Sequence, residues 1–293
     1  MSIKIPPTPE LPPDIKQKYK EEKLAVFVGA GVSRLLGCIG WDMLAKNLVK
    51  RCRKEDFIDY METEMLLGIN EHKKLITICD HICKDNDKRT VFYSELEKAL
   101  KHRSKIKSPN IYDDIFRFGG PFITTNADIH FDRLFRSDVY YMLSDFIQDN
   151  IASRTLFHIH GSITNKKSLV FRVSDYFERY NNKVFQEFLN HIFSTYSVLF
   201  LGYGLTEFEV LDYILKDKRG SHFLLKGYYT GEEKFFGYEQ KYYNDLNVTV
   251  VPFNKDKKGY GQLHDVVKEW TDEIKQVTGY LSKAMKEIDD AVI

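Results

Sequence analysis

Residues 24–34 read LAVFVGAGVSR, a run of five apolar residues followed directly by a glycine-rich turn. The apolar run predicts a buried strand, and a glycine-rich turn between such a strand and a helix is how open α/β sheets hold a pyrophosphate. Glycines let the backbone approach the phosphates, while free N–H groups of the next helix face the negative charge. Position 34 is arginine instead of a third glycine, so the dinucleotide pattern is incomplete and the turn alone assigns no function.

The composition fits a folded protein of one large α/β domain or two modest ones. The chain has 293 residues, 43% hydrophobic and 14% aromatic, enough for a sizeable core. Its formal charge of +1 provides no basic field, so direct nucleic-acid binding is not expected. No secretory signal begins the chain, and no stretch approaches the ~20 apolar residues of a membrane span. The four cysteines form no disulfide framework, which favours a cytoplasmic protein.

Strand and helix signals alternate along most of the chain. Between residues 41 and 118 the apolar positions follow helical spacing, which predicts a helical insertion lobe. The later alternation predicts an α/β fold with a Rossmann-like, mostly parallel sheet and helices on both faces. After the first strand, strands are expected at 121–125, 156–159, 169–171, 197–201, 222–225 and 247–252, and helices at 174–195, 207–217, 232–245 and 261–277.

The predicted organisation has three parts. Residues 1–23 form an N-terminal arm, proline-rich over 6–13, and a helix. Residues 24–277 form the main domain, with the helical insertion at about 41–118, and residues 278–293 form a C-terminal helix. The two terminal parts are expected to serve assembly.

Small or polar residues follow three predicted strands at their carboxyl ends, where ligands bind in open α/β sheets. The three segments are 124–128 (TTNAD), 158–161 (HIHG) and 202–204 (GYG). Each also has an ordinary structural interpretation: an Asx turn, a hydrogen-bonded core histidine, a tight turn. Their recurrence at successive strand ends favours one shared ligand site. Alternation along a strand places His158 and His160 on one face, so either ring could be the one that acts.

Together with residues 29–33 (GAGVS), these segments resemble the sirtuin superfamily, in particular its sirtuin-like branch of bacterial antiphage NAD hydrolases. The likeness runs from about Leu24 to about Trp270 and implies that NAD binds between the sheet and the helical lobe. It also implies that Asn126 positions the nicotinamide ribose or the attacking water and that His160 is the catalytic histidine. The NAD-binding positions that it implies are Gly29, Ala30, Gly31, Ser33, Thr125, Asp128, Gly202, Tyr203 and Thr206.

The sequence departs from the sirtuin pattern in three places. The Gly-x-Pro-x-Trp that often follows the turn reads GCIGW at 37–41, without the proline, and Ala127 replaces an aromatic residue. Protein-deacylating sirtuins carry a zinc module of two C-x-x-C pairs, which this sequence lacks. Cys79 and Cys83 share a helix face but have no second ligand pair, so we expect core thiols, no metal and no lysine-peptide cleft.

The resemblance implies an NAD⁺ glycohydrolase that releases nicotinamide and ADP-ribose and acts in antiphage defence by depleting NAD. A histidine with an unperturbed pKa near ~6.5 suits a base for water at neutral pH. No fused sensor domain is expected in a chain of this length, so control would come from homo-oligomeric assembly or a separate HerA-type ATPase partner. Two alternatives remain open: a non-catalytic NAD- or ADP-ribose-binding scaffold subunit, and an NAD-dependent ADP-ribosyl or deacyl transferase.

Overall fold

The structure is a computed structural model that describes residues 4–100, 108–205, 207–216 and 221–276. Within these residues the strands are β1 Leu24–Val28, β2 Phe122–Thr124, β3 Val139–Tyr140, β4 Leu156–His158, β5 Ser197–Leu201, β6 His222–Tyr228 and β7 Val248–Asn254. They form one sheet in the order β3-β4-β2-β1-β5-β6-β7, and every pair is parallel. The predicted Rossmann-like parallel sheet is therefore confirmed.

The helices precede, interrupt and follow this sheet. Their bounds are α1 Pro13–Lys20, α2 Ala30–Leu35, α3 Trp41–Lys54, α4 Tyr60–Leu67, α5 His72–Asp85, α6 Arg89–Leu100, α7 Ile111–Ile115, α8 Val173–Tyr180, α9 Lys183–Thr195, α10 Phe208–Lys216, α11 Glu233–Asp245 and α12 over 262–276. The single helix expected over 174–195 is two, because the chain breaks at Asn181 and the Asn182 side chain caps α9 by accepting from the Phe185 N–H at 3.2 Å.

Apolar side chains cover both faces of the sheet. Strand β1 is buried at all five positions, with Ala25 and Phe27 in one core and Leu24, Val26 and Val28 in the other. Helices α8 to α11 contribute to the first core, whereas α1, α2, α7 and α12 contribute to the second. A strand buried on both faces reads as a continuous apolar run, which is why β1 stands out in the sequence.

Helices α3 to α6 form a lobe with a core of its own. Leu48, Cys52, Cys79 and Leu96 are among its buried residues. Ala127, Leu169 and Phe171 join this core from the sheet side. Helix α7, although it falls within the expected 41–118 insertion, packs in the second sheet core. The lobe therefore stands directly against the carboxyl end of β2.

One sequence expectation about a strand was wrong, and one strand of the sheet was not expected. Residues 169–171 pair with no strand in the described part of the chain; Leu169 and Phe171 are buried against the helical lobe instead. The two-residue strand β3 was not expected, because Val139 and Tyr140 are too short a run to give a pattern. Both differences concern runs of three residues or fewer, which are too short for their sequence pattern to show whether the residues pair as a strand.

The N-terminal arm lies along the molecule. The backbone N–H of Asn254 donates to the Pro6 carbonyl at 2.7 Å, and the Trp270 indole donates to the Pro9 carbonyl at 2.8 Å. The expected C-terminal helix at 278–293 lies outside the described residues. Among the described helices, none has the length and apolar character that crossing a membrane requires.

Candidate functional site

Strand β1 marks the point where the sheet reverses its winding. Strands β2, β4 and β3 lie in that order on one side of β1; after β4 the chain crosses to β5 on the other side of β1 and continues through β6 and β7. In open α/β sheets a crevice forms at the carboxyl ends of the strands at such a point. The turns after β1 and β5 are the two glycine-rich turns singled out in the sequence.

These two turns touch through their backbones. Gly29 N–H donates to the Leu201 carbonyl at 2.9 Å, and Gly31 N–H donates to the Gly202 carbonyl at 2.8 Å. A Cβ on Gly29 would lie 2.5 Å from the Gly202 oxygen, and Gly202 has φ of +63°. Glycine is thus required at both positions. In this conformation the Gly31 amide faces the second turn, and not outward as the sequence interpretation assumed.

A buried hydrogen-bond network joins the first turn to the end of β2; we call Ser33, Tyr112, Asn126 and Asp128 the Ser33 cluster. Ser33 Oγ donates to Asp128 Oδ2 at 2.6 Å. Since the only hydroxyl proton of Ser33 goes to Asp128, the Tyr112 hydroxyl donates to Ser33 Oγ, at 2.8 Å. Asn126 Nδ2 also donates to Ser33 Oγ, at 2.9 Å. The serine hydroxyl is therefore fully used.

Asn126 is held firmly but keeps one polar atom unused. Its Nδ2 also donates to the Gly29 carbonyl at 3.1 Å, and its backbone N–H donates to Thr124 Oγ1 at 3.0 Å. Its Oδ1 is buried and has no hydrogen-bond partner among the described residues. A buried acceptor without a partner is costly and calls for a functional explanation. Thr125, beside it, is also buried.

A cavity of about 20 Å³ lies between the Ser33 cluster and the helical lobe. Ala30, Asn126 and Asp128 line one side, and Trp41 and Leu44 of the lobe line the other. A volume of roughly 10–15 Å³ is the minimum for a single water molecule. The lobe is therefore closed against Asn126 in this conformation.

His158 supports Asn126 from behind. Its Nδ1 lies 2.7 Å from the Asn126 carbonyl oxygen, and its Nε2 lies 2.9 Å from Asp132 Oδ1. Because both partners are acceptors, both ring nitrogens carry protons and the ring is an imidazolium. Burial by itself would lower the pKa of His158, but the hydrogen bond and charge of Asp132 outweigh it and raise that pKa. His158 thus fixes the backbone of Asn126.

His160 belongs to a second group of contacts; we call His160, Tyr180, Tyr203 and Glu207 the His160 cluster. His160 Nε2 lies 2.9 Å from the Tyr180 hydroxyl and 3.8 Å from Glu207 Oε2. Tyr203 donates its hydroxyl to the same Glu207 oxygen at 2.8 Å. His160 Nδ1 is buried with no partner in the described part of the chain. Since β4 ends at His158, strand alternation does not extend to His160, and the two rings meet different partners.

The electrostatics of His160 differ from the sequence expectation. Burial, helped by the positive charges of Lys73 and Arg179, lowers the pKa of His160 to about 3. The ring is therefore neutral at physiological pH but a much weaker base than a solvated histidine. Burial also raises the pKa of Glu207, although its hydrogen bond from Tyr203 opposes the shift.

The structure brings most of the predicted residues to the carboxyl edge of the sheet. Gly29, Gly31 and Gly202 meet directly, while the Tyr203 ring packs at a tilt against Phe27 with ring centroids 4.6 Å apart. The two clusters lie at the ends of neighbouring strands, and no hydrogen bond between them is found within the described residues. Thr206 lies outside the described residues, and the helix expected near Glu207 begins at Phe208.

Four contributors were not predicted from the sequence: Tyr112, Asp132, Tyr180 and Glu207. Tyr112, Asp132 and Tyr180 come from segments without a glycine-rich or polar strand-end signature, so no local pattern marked them. Only Glu207 had a signal, because it closely follows the GYG segment.

The cysteines of the helical lobe pack as thiols. Cys52 Sγ lies 3.8 Å from Cys83 Sγ, and both side chains are buried. A hydrogen bond with Cys79 is the main reason that the pKa of Cys52 is raised to about 12. Over residues 4–100, 108–205, 207–216 and 221–276, no group of three or more His, Cys, Asp or Glu could hold a metal ion. The expectation of a metal-independent protein stays a prediction, to be checked by metal analysis.

Comparison with known proteins identifies the region that carries these strand ends. Residues 121–242 match the family model of a SIR2-like domain. Asn126, Asp128, His160 and Gly202 lie within the matched residues, whereas the turn after β1 precedes them.

Two further comparisons cover most of the chain. The NAD(+) hydrolase ThsA of Bacillus cereus (strain MSX-D12) is 21% identical over 92% of this chain and 58% of its own length, so the chain spans little more than half of that protein. A structure solved to explain the mechanism and regulation of Sir2 enzymes is 12% identical, covering 91% of this chain and 100% of that one, with a TM-score of 0.45. The fold itself follows from the sheet topology.

Proposed function

We propose that the protein is an NAD⁺ hydrolase that cleaves NAD into nicotinamide and ADP-ribose. The observation that carries the proposal is the amide of Asn126. Its nitrogen is tied to the Gly29–Ser33 turn, and its buried oxygen is left without a partner among the described residues. That oxygen is suited to accept a hydrogen bond from a ribose hydroxyl brought to the end of β2.

Cleavage of the nicotinamide–ribose bond requires little acid catalysis from the protein. Nicotinamide leaves as a neutral molecule from a cationic ring, so the site must hold the ribose, tolerate an oxocarbenium-like state and supply a water. His160 Nδ1, with no partner in the described part of the chain, is the atom available to such a water. At a pKa of about 3 the ring orients water better than it deprotonates it. Entry of solvent with the substrate would weaken the burial that lowers this pKa.

The bound substrate would lie between the sheet and the lobe, as the motif resemblance implies. The turn formed by Gly29, Ala30, Gly31 and Ser33 would lie beside the phosphates, and Asp128 beside the nicotinamide amide. The remaining proposed binding positions are Thr125, Gly202, Tyr203 and Thr206. A cavity of about 20 Å³ is far below the roughly 300 Å³ of small-molecule sites, so the lobe must open before the nicotinamide end can enter.

This closed lobe supports control of the activity. An uncontrolled NAD hydrolase would deplete the NAD of its own cell, so we propose that homo-oligomeric assembly or a separate partner, such as a HerA-type ATPase, opens the lobe. The role in antiphage defence rests on the resemblance of the motif set. We retain residues 24–277 as the catalytic domain, with 1–23 and 278–293 as assembly elements.

A second candidate is a non-catalytic subunit that binds NAD or ADP-ribose. The low pKa of His160 and the closed cavity favour it, because neither feature suits rapid turnover. For the transferase alternative, no contact or charge in the described part of the chain identifies an acceptor site.

One experiment separates hydrolase from binder. The full chain is incubated with NAD, alone and with candidate partners, across a protein concentration series, while chromatography follows nicotinamide and ADP-ribose and light scattering follows mass. We expect both products in equal amounts, with activity rising as oligomers larger than a dimer form. NAD binding without product under every condition would reject the hydrolase and leave the binder. Full activity of a monomer would reject control by assembly.

A further inference from the structure

A second cavity, of about 370 Å³, lies between helices α5–α6 of the lobe and residues 166–179. No residue of the Ser33 cluster or the His160 cluster lines it. Its volume is within the roughly 300–1,000 Å³ typical of sites for small organic ligands. It is therefore a separate cavity large enough for a small molecule.

Positive charge dominates this cavity. Five basic side chains line it against three acidic ones: Arg89, Lys166, Lys167, Arg172 and Arg179 against Asp80, Asp175 and Glu178. The two buried or half-buried acids are already engaged, since Asp80 pairs with Arg89 at 3.1 Å and Asp175 with Arg172 at 2.6 Å. The remaining acid, Glu178, is exposed. Lys166 pairs with Glu97, outside the lining, at 3.1 Å, so among the described residues Arg179 and Lys167 are the lining cations without an ion pair.

Arg179 is the group that most needs a counter-ion. It is only 5% exposed, and its Nη2 donates to the Ser168 carbonyl at 2.9 Å. Its Nη1 is buried and makes no hydrogen bond, and no carboxylate forms an ion pair with it, within the described residues. Burial lowers its pKa to about 10, so the guanidinium still carries its charge at neutral pH. The guanidinium lies over the Phe146 and Phe185 rings, 5.2 and 5.6 Å from their centroids, but these rings supply no counter-ion, and a buried cation without one is costly.

Lys167 and two aromatic rings complete the surroundings. Lys167 is exposed and makes no ion pair in the described part of the chain, so its ammonium group is free to turn towards a ligand. Phe92 and Tyr93 line the lobe side of the cavity. Arginine and lysine favour phosphate oxygens, and aromatic faces favour a flat organic group. The volume exceeds what a bare phosphate ion needs.

We propose that this cavity binds a phosphomonoester of nucleotide size, whose phosphate meets Arg179 and Lys167 and whose organic group lies against Phe92. The site is distinct from the proposed NAD site and does not depend on NAD cleavage. A short segment nevertheless connects this cavity to the proposed NAD site. The Ser168 carbonyl accepts from Arg179, and two residues later the Val170 N–H donates to the His160 carbonyl at 3.0 Å.

The test uses adenosine monophosphate and adenosine as matched probes, measured by isothermal titration calorimetry on the full chain in the absence of NAD. We expect the monophosphate to bind and adenosine to bind at least about tenfold more weakly, because the phosphate supplies the charge-assisted hydrogen bonds. Equal affinity for the two probes, or no binding of the monophosphate, would overturn the proposal.

Variants assign the binding to this cavity. Lys167→Glu, at an exposed position that does not endanger folding, is expected to weaken monophosphate binding at least about tenfold. Arg179→Met, which keeps the buried volume, is expected to abolish it. The control Lys241→Glu, at an exposed position of helix α11, should bind like the unaltered protein. Binding that Lys167→Glu leaves unchanged belongs to another site and would overturn the proposal. Because no step measures nicotinamide, failure here is distinguishable from failure of the proposed hydrolase.

Discussion

At the scale of single residues, the site is organised by one hydroxyl and two histidines in opposite electrostatic states. Ser33 Oγ joins the turn after β1 to Asn126 and Asp128 at the end of β2. His158 is an imidazolium between two acceptors, whereas His160, two positions later, is held neutral by burial. A pair of histidines that looks equivalent in the sequence therefore divides into a positioning residue and a residue available to water.

Removing the Ser33 hydroxyl tests the cluster as a structural unit. Ser33→Ala leaves the buried Tyr112 hydroxyl and Asp128 carboxylate each short of one partner, so we expect the free energy of unfolding to fall by about 1–3 kcal/mol. Urea denaturation measures the change. The control Ser137→Ala, at an exposed serine, should change the free energy of unfolding by no more than about 0.5 kcal/mol. Equal effects of the two substitutions would contradict the network.

His160 predicts a specific dependence of stability on pH. Its pKa is about 3 in the folded protein and about 6.5 when unfolded, so between these values the unfolded chain binds one more proton. Stability is then complete above about pH 6.5 and declines by up to ~1.4 kcal/mol per pH unit as the pH falls below it. Unfolding of His160→Gln, followed from pH 7 to 5, should show a shallower decline. A slope unchanged by the substitution would show that the His160 ring is protonated or solvated in the folded protein.

At the scale of elements, two glycine turns at the ends of β1 and β5 fix the crevice. The sequence marked both turns and most strands, because each central strand is a continuous apolar run ending in glycine or a polar residue. It did not mark Tyr112 on α7 or Asp132, because their roles arise from contacts between distant segments, Ser33 with Tyr112 and His158 with Asp132. The wrong strand prediction at 169–171 has the same origin. Leu169 and Phe171 are apolar because they pack in the core of the helical lobe, and not because they belong to a strand.

The glycine turns predict a contrast between two Gly→Ala substitutions. At Gly202, φ is +63° and a Cβ would lie 2.6 Å from the Val32 nitrogen, so Gly202→Ala should destabilise the fold by about 2 kcal/mol or more. At Gly237, inside α11, nothing lies within 4 Å of the Cβ position, and the substitution should stabilise the helix by up to about 1 kcal/mol. Melting temperatures compare the two. If Gly202→Ala had the same melting temperature as the unaltered protein, the two turns would not be in the close contact described here.

At the scale of the whole molecule, the helical lobe and the sheet have separate hydrophobic cores, and they meet over Asn126. Trp41 lines the small cavity between them and packs on Phe171 with ring centroids 5.1 Å apart. The other tryptophan, Trp270, is buried in the second sheet core. This arrangement makes Trp41 a natural reporter of lobe opening.

Opening of the lobe can be followed in Trp270→Phe, where Trp41 is the single remaining tryptophan. If NAD enters by separating the lobe from Asn126, addition of NAD should move Trp41 out of its apolar contacts and shift its emission to longer wavelengths. A fluorescence titration with NAD measures this, with adenosine as the control ligand. Unchanged Trp41 emission in a preparation that releases nicotinamide would contradict the opening.

The central claim is that Asn126, fixed to the Gly29–Ser33 turn, holds the ribose of NAD for cleavage. The most direct measurement is the rate of nicotinamide release by the unaltered protein, by Asn126→Ala and by the control Asn244→Ala, whose side chain is exposed on α11. Misplacing the ribose by about 1 Å costs about 100-fold in rate. We therefore predict a loss of about 100-fold or more in Asn126→Ala and none in Asn244→Ala, with circular dichroism showing both folded. Release by Asn126→Ala at the unaltered rate would contradict the account.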